Sequence, residues 1–394
     1  MKNPLKILCY GFFVFMVVMS RTAMGLTVEQ AITASADHLV AQQQADGSWP
    51  SEADFTGPIV SGLVRAYRIM GADSYLTAAE LAGDFIISYS GGNFMGDEAY
   101  ALTRLSAVSA DPNYWLDNVK TYYQAVRDTP NGTLDYISYW FSLSDPSTDV
   151  FYLAHHVLAA YYVEANDKDI WRDVLIWRLG AVEDGLSAYP VQSLGVAVWA
   201  LAQTGPMDNT QVNPFADANS YWYQVSVEGL PDMLAGHQVP QGETYPGSFY
   251  WRFDHTYGGS PQLAGYTEDT IFSTLGLIAA TRSILAAGYE SGIRNGQDAL
   301  IYGVALDGRI YEHIWNGGAF YHVYVGETLQ ALPLISDLDR DDGVDFNDFA
   351  DFCTRWFEDG CSDYDWCGGA DIDRSGNVDF LDFATLSNWW LESL

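Results

Sequence analysis

Between residues 26 and 335 the chain alternates two kinds of helical text, and no other feature restricts its fold as strongly. Amphipathic stretches, apolar on one face only, run near 26–44, 74–88, 113–127, 168–184, 222–237 and 291–305. Between them lie stretches apolar almost all round, near 55–67, 97–108, 149–164, 189–203, 269–285 and 327–335. A helix that is apolar on every side must be buried on every side, whereas an amphipathic one covers it from outside. Thr27 and Gln30 give the first helix a capping-box start. Six helices of each kind in strict alternation predict two concentric rings, an all-α (α/α)6-like toroid; the competing arrangement is an irregular all-α domain.

The connections fall into two sets. Those leaving the apolar helices are mostly short and polar, such as 71–73 and 165–167. Those leading into them are longer and rich in glycine and aromatics: 46–54, 90–96, 129–148, 238–268 and 306–326. In a toroid these long loops share one face. Trp49, Trp140, Trp251 and Trp315 belong to them. Aromatic faces over a concave surface suit sugar rings, so the four are candidate substrate-binding residues; the competing role is to wedge the loops together as local core.

The densest group of reactive side chains is Arg252, Asp254, His255 and Tyr257, followed by Glu268 and Asp269 at the start of an apolar helix. A polysaccharide lyase needs a base for the sugar C5 proton and a cation for the neighbouring carboxylate, roles that His255, Tyr257 and Arg252 can fill. A glycoside hydrolase needs two carboxylates flanking the scissile bond, and Asp254, Glu268, Asp269, Asp97 and Glu327 can supply them. The structural alternative is that Asp97, Asp149, Asp269 and Glu327 only complement the N-terminal dipoles of their helices. His155, His156, His313 and His322 are secondary candidates.

Lys2 and Lys6 precede an apolar run at 7–19, and Ala23 and Gly25 offer the small residues a signal peptidase reads. That run is too short to span a bilayer. Residues 1–25 therefore read as a signal peptide, and the mature protein is expected to be secreted, extracellular or periplasmic. The formal charge of −33 argues against nucleic acid and anionic membranes as partners, and makes a polyanionic substrate costly unless a local basic cluster or calcium offsets it. Residues 26–336 contain no cysteine, which removes thiol catalysis, zinc–thiolate sites and disulfides from that segment. Cys353, Cys361 and Cys367 lie beyond it. Export favours a Cys361–Cys367 bridge, which would stabilise by about 2 kcal/mol, and leaves Cys353 as an expected buried thiol.

Residues 371–382, D-I-D-R-S-G-N-V-D-F-L-D, have the spacing of a calcium loop: carboxylates at positions 1, 3, 9 and 12, Ser375 at 5, a turn glycine at 6 and the Asn377 carbonyl at 7. A near-copy starts 34 residues earlier, and 337–357 matches 371–391 at 10 of 21 positions. This pair resembles a type I dockerin, two calcium loops each followed by a helix. The resemblance implies two calcium ions, the first held by Asp337, Asp339, Asp341, the Gly343 carbonyl, Asp345 through water and Asp348. The second set is Asp371, Asp373, Ser375, the Asn377 carbonyl, Asp379 through water and Asp382. It also implies a cohesin-like or cell-surface protein partner. Asp342 stands where the first loop's turn glycine belongs, so that site is expected to be the weaker one.

The segment Q-Q-A-D-G-S-W at 43–49 resembles the repeat motif of the terpenoid cyclase and protein prenyltransferase superfamily, whose fold is the α/α toroid. That superfamily's chemistry is not implied. The acid motif of the cyclases matches only 339–342, inside the first calcium loop, and the zinc cysteine of the prenyltransferases is missing. The expected organisation is a signal peptide at 1–25, a toroid at 26–336 and a dockerin-like module at 337–394. The first functional expectation is a secreted polysaccharide-degrading enzyme, a lyase or a glycoside hydrolase. A non-catalytic toroid binding glycan or protein comes second, and a terpenoid cyclase-like enzyme third.

Overall fold

Thr27 starts the first helix as expected: its side chain accepts from the Gln30 amide, and the Gln30 side chain returns the bond, both at 3.0 Å. The computed structural model describes residues 26–141, 145–184, 186–255, 264–283, 288–338, 343–361, 367, 369–372, 375–388 and 390. The expected signal segment, Tyr257, Asp339, Asp341, Asp342 and Asp373 lie outside the described residues. Among the described residues the chain is mostly helical, with 15 helices and one two-stranded sheet. The helices are α1 (Val28–Gln42), α2 (Thr56–Met70), α3 (Asp73–Ser90), α4 (Gly96–Ser106), α5 (Pro112–Arg127), α6 (Gly132–Trp140), α7 (Pro146–Tyr162), α8 (Lys168–Leu179), α9 (Pro190–Thr204), α10 (Leu230–Ala235), α11 (Thr267–Ser283) and α12 (Glu290–Gly303). Strands β1 (Tyr311–His313) and β2 (Gly317–Phe320) follow, then α13 (His322–Ala331), α14 (Phe346–Thr354) and α15 (Phe380–Asn388).

The apolar helices pack on one another in sequence: α2 on α4, α4 on α7, α7 on α9, α9 on α11, α11 on α13, and α13 back on α2. The amphipathic helices α1, α3, α5, α8 and α12 lie against them. Small residues set the spacing of the inner helices. A Cβ on Gly62 of α2 would stand 2.2 Å from the Gly326 carbonyl oxygen of α13, and one on Gly276 of α11 would stand 2.7 Å from the Gly195 carbonyl oxygen of α9. Backbones that touch in this way leave no room for a side chain.

The starts of the inner helices gather together. Glu52, just before α2, accepts from the amides of His322 and Val323 at the start of α13, both at 2.8 Å. Gly57 of α2 lies against the Asp97 backbone at the start of α4. The Ser147 hydroxyl of α7 accepts from the Tyr189 amide that leads into α9, and Gly195 of α9 lies against the Phe272 and Ser273 backbone of α11.

Four elements differ from the sequence expectation. The 129–148 connection contains α6, and the 306–326 connection contains the β1–β2 hairpin and the first turn of α13. The helix expected at 222–237 shortens to α10 preceded by a 3-10 turn, because Trp222 is buried with its indole N–H donating to the Val182 carbonyl. α13 starts five residues before Glu327, at the point where Glu52 supplies its cap.

The Cys361–Cys367 disulfide is present, with a Cα–Cα distance of 5.1 Å. Cys353 corrects the expectation of a buried thiol: α14 turns Asp348 and Phe352 inward, one residue on from which Cys353 is exposed. Among the described residues no helix is long and apolar enough to cross a membrane. Gly62→Ala should lower stability by roughly 1 to 3 kcal/mol by forcing α2 away from α13. Urea unfolding checks this, and an unchanged midpoint would contradict the backbone contact.

Candidate active site

The gathered helix starts carry acids. Asp97 opens α4, Glu268 and Asp269 open α11, and Glu327 lies in the second turn of α13. Asp97, Asp269 and Glu327 are 2%, 3% and 1% exposed. Asp97 Oδ1, Asp269 Oδ1 and Glu327 Oε2 have no hydrogen-bond partner among the described residues, and neither has Gln192 Oε1 in the first turn of α9. Buried polar atoms are nearly always bonded in folded proteins, so four orphans at one end of the helix ring call for an explanation. All four are oxygens.

Burial pushes the Asp97 carboxyl up to about 7. Burial and the Asp97 charge together push Glu98 up to about 8, although the Glu98 carboxylate also caps α4 by accepting from the Met95 amide at 2.8 Å. Glu268 keeps some surface contact yet lies deep enough that burial, assisted by Glu312, raises it to about 7. Asp269 is raised well above the carboxylate range by burial and by Glu268. Glu327 is raised likewise, first by burial and then by Glu268, Asp97 and Glu52. The acids of α4, α11 and α13 therefore face a common space, with the part-buried Tyr152 and the buried Tyr324 beside them: both phenols are held up by burial and then by members of the same acid group.

Aromatic rings stand where the chain enters the inner helices. Tyr189 before α9 and Tyr321 before α13 are 46% and 45% exposed, and Phe55 before α2 is exposed as well. Tyr189 responds to Glu268 and Asp269, while Tyr321 packs edge-on against Tyr324. The sequence signal for these was their place immediately before a helix start, which a search for tryptophan passes over.

The expected catalytic residues separate into two places. Glu268 and Asp269 join Asp97 and Glu327. Arg252, Asp254 and His255 make contacts of their own, while Trp251 beside them accepts from the Val191 amide in the first turn of α9. The Asp184 carboxylate accepts from the amides of Phe253 and Asp254, at 3.1 and 2.6 Å. His255 Nε2 lies 2.6 Å from His237 Nδ1, and the Tyr250 ring stacks on His255 at 4.0 Å. Burial lowers His255, against the pull of Asp254 and Asp184. His237 follows α10 beside a cavity of about 500 Å³ lined by Tyr221, Val225, Asp232 and Met233 among others. The Arg252 guanidinium lies over the Trp251 ring, 4.7 Å from its centre.

The tryptophans also divide. Trp49 is buried, with its indole N–H donating to the Leu39 carbonyl, so it is core and not a ligand platform. Trp251 is held by the Ala188 carbonyl and packs on Tyr266. Trp315 packs against Tyr245 and Tyr302 on the hairpin. Trp140, at the end of α6, is half exposed. Asp149 is paired with Arg178 at 2.6 Å, His155 and His156 are neutral core residues pushed down to about 4 and about 3 by burial, and His313 Nδ1 accepts from the amides of Trp315 and Asn316 within its turn. His322 donates from Nδ1 to Glu52 at 2.9 Å.

In the C-terminal segment the sequence duplication is matched by a duplicated bonding pattern. Asp348 accepts from the Asp345 amide at 2.6 Å and Asp382 from the Asp379 amide at 2.9 Å; Asp345 and Asp379 each accept from the amide two residues on, at 2.7 Å. Asp371 gathers the amides of Ser375 and Gly376 at 2.9 and 2.8 Å, with Gly376 at φ +95°, while Asn377 bridges to Asp359. Asp337, Asp348, Asp371 and Asp382 are all buried. Gly343 is described; its neighbours at 339–342 are not.

Searches against protein-family models and against curated proteins find no match to this chain.

A carboxyl raised above its unfolded value binds more protons in the folded chain between about pH 4 and 7, so its contribution is present at low pH and lost as pH rises through 7. Asp97→Asn should therefore raise stability more at pH 8 than at pH 5, by a difference on the order of 2 to 3 kcal/mol. Urea midpoints at the two values check this; equal effects at both would contradict the shift.

Proposed function

We propose that the protein is an exported glycan-degrading enzyme of the glycoside hydrolase type, built on an (α/α)6 toroid. The observation that carries this is the set of buried, orphaned carboxyl oxygens of Asp97, Asp269 and Glu327 beside the partly exposed Glu268. Glycosidic hydrolysis needs one carboxyl held protonated and another that is ionised and able to reach water. Glu327, under three neighbouring carboxylates, keeps its proton at neutral pH and delivers it to the leaving glycosidic oxygen. Glu268, titrating near 7 with access to solvent, takes a proton from the attacking water as its oxygen bonds to the anomeric carbon. Tyr189, Tyr321 and Phe55 offer ring faces at the mouth for stacking on sugars. Elimination fits less well. A lyase must neutralise a uronate carboxylate with a cation, and the charges acting most strongly on Glu327 are themselves carboxylates.

Two features support a tethered, calcium-dependent product of export: the charged and apolar pattern of residues 1–25, and the dockerin-like pair of loops. In the loops, the carboxylates at positions 1 and 12 are buried, which suits calcium and suits no packed apolar role. The first ion would be held by Asp337, Asp339, Asp341, the Gly343 carbonyl and Asp348, with Asp345 acting through water. The second would be held by Asp371, Asp373, Ser375, the Asn377 carbonyl and Asp382, with Asp379 acting through water. Bound calcium would offset four buried carboxylates and so order the segment for a protein partner.

Glu327→Gln and Glu268→Gln should each lower reducing-end release from a glycan panel by roughly a hundredfold or more, and Asp254→Asn should leave it near wild type. Full activity in both Gln variants would remove the acid floor from contention. Calorimetric titration should find calcium binding with Kd of about 1 mM or tighter, and Asp371→Ala should abolish one of two binding events. An unchanged titration would refute the loop assignment.

A further inference from the structure

The orphan atoms at the mouth share a chemical sense. Asp97 Oδ1, Asp269 Oδ1, Glu327 Oε2 and Gln192 Oε1 are acceptors, they lie in the first or second turns of α4, α11, α13 and α9, and their residues are at least nine-tenths buried. Gln192 is tied to the group by packing: Gly195, three residues on in α9, lies against the Phe272 and Ser273 backbone of α11. Around them stand Glu52, Glu98 and Glu268. Two of the orphans, on Asp97 and Asp269, lie in helix first turns where the backbone amides already favour an acid. Glu327, one turn deeper, has no such compensation, because the start of α13 is used by Glu52.

A ligand that satisfies this floor has to donate hydrogen bonds and bring a positive charge, which lets acids held protonated in its absence ionise. A sugar hydroxyl donates once and carries no charge. A uronate brings a further anion, and an acetamide offers one weak donor with a bulky acceptor. A protonated primary amine brings three donors and a positive charge. An ammonium beside an acid stabilises its ionised form, whereas an acetamide or a uronate does not, and this difference sets the preference.

We propose that the acid floor recognises glycans bearing free amines, so that the preferred substrate is a glucosamine-type polymer and not its acetylated or uronate counterpart. This rests on the reading of the floor as a glycan site and names the class of glycan it takes.

The test uses the full chain with calcium present and two readouts. Binding is measured with glucosamine and N-acetylglucosamine, monosaccharides that offer no bond to hydrolyse, and turnover with a chitosan hexamer and the matching chitin hexamer. Glucosamine should bind at least roughly tenfold more tightly than its acetylated form, with the preference shrinking as salt rises. Asp97→Asn should reduce that preference, and Asp73→Asn, an exposed acid on α3, should leave it intact. Amine preference in binding without turnover of either hexamer would keep this inference and overturn the hydrolase reading. Equal or weaker binding of glucosamine would overturn the inference, whatever the hexamers show. A third calcium equivalent that disappears in Glu327→Gln would assign the floor to a metal and overturn it as well.

Discussion

Where α2 and α13 touch backbone to backbone at Gly62 and Gly326, the last inner helix meets the first. Without that approach the six apolar helices would be a row with two exposed ends, each presenting a face that no amphipathic helix covers. With it, each inner helix has two inner neighbours, and the amphipathic helices only have to cover the outside. The same joint brings Glu52 onto the start of α13, and hence fixes how deep Glu327 sits.

Closure of the ring also accounts for the electrostatics of the mouth. Helix starts attract carboxylates, and a ring of helices beginning at one end concentrates both the attraction and the acids. Burial then works against ionisation, and the acids work against one another, so the group holds protons that separated side chains would lose. Such an arrangement opposes folding at neutral pH in a domain whose total stability is about 5 to 15 kcal/mol. Strain of this kind is what a functional site accumulates, whereas a purely structural acid finds a partner, as Asp149 does in Arg178.

Burial on all sides writes itself into composition, so the stretches read as apolar all round are the helices that pack on one another in turn. The sequence made Asp97, Glu268, Asp269 and Glu327 visible as candidates but could not group them, because they meet only through the packing of α4, α11 and α13. Local density in the chain could not show that the Phe253 and Asp254 amides bond to Asp184, or that His255 meets His237. Trp49 looked like a platform because it lies in a glycine-rich loop; its bond to Leu39 buries it. The true start of α13 depends on Glu52, 270 residues away, and no local pattern carries that. In the C-terminal segment the capping bonds are local, so the duplicated spacing reappears as duplicated capping.

The central claim is that the mouth holds protonated acid at neutral pH, with Glu327 held well above the carboxylate range by burial and by Glu268, Asp97 and Glu52. A carbon-13 titration of the Glu side-chain carboxyls, with Glu327 assigned by comparison with Glu327→Gln, measures this directly. The account predicts that the Glu327 resonance stays in its protonated position through pH 7. Titration in the ordinary range, near about 4.3, would contradict it.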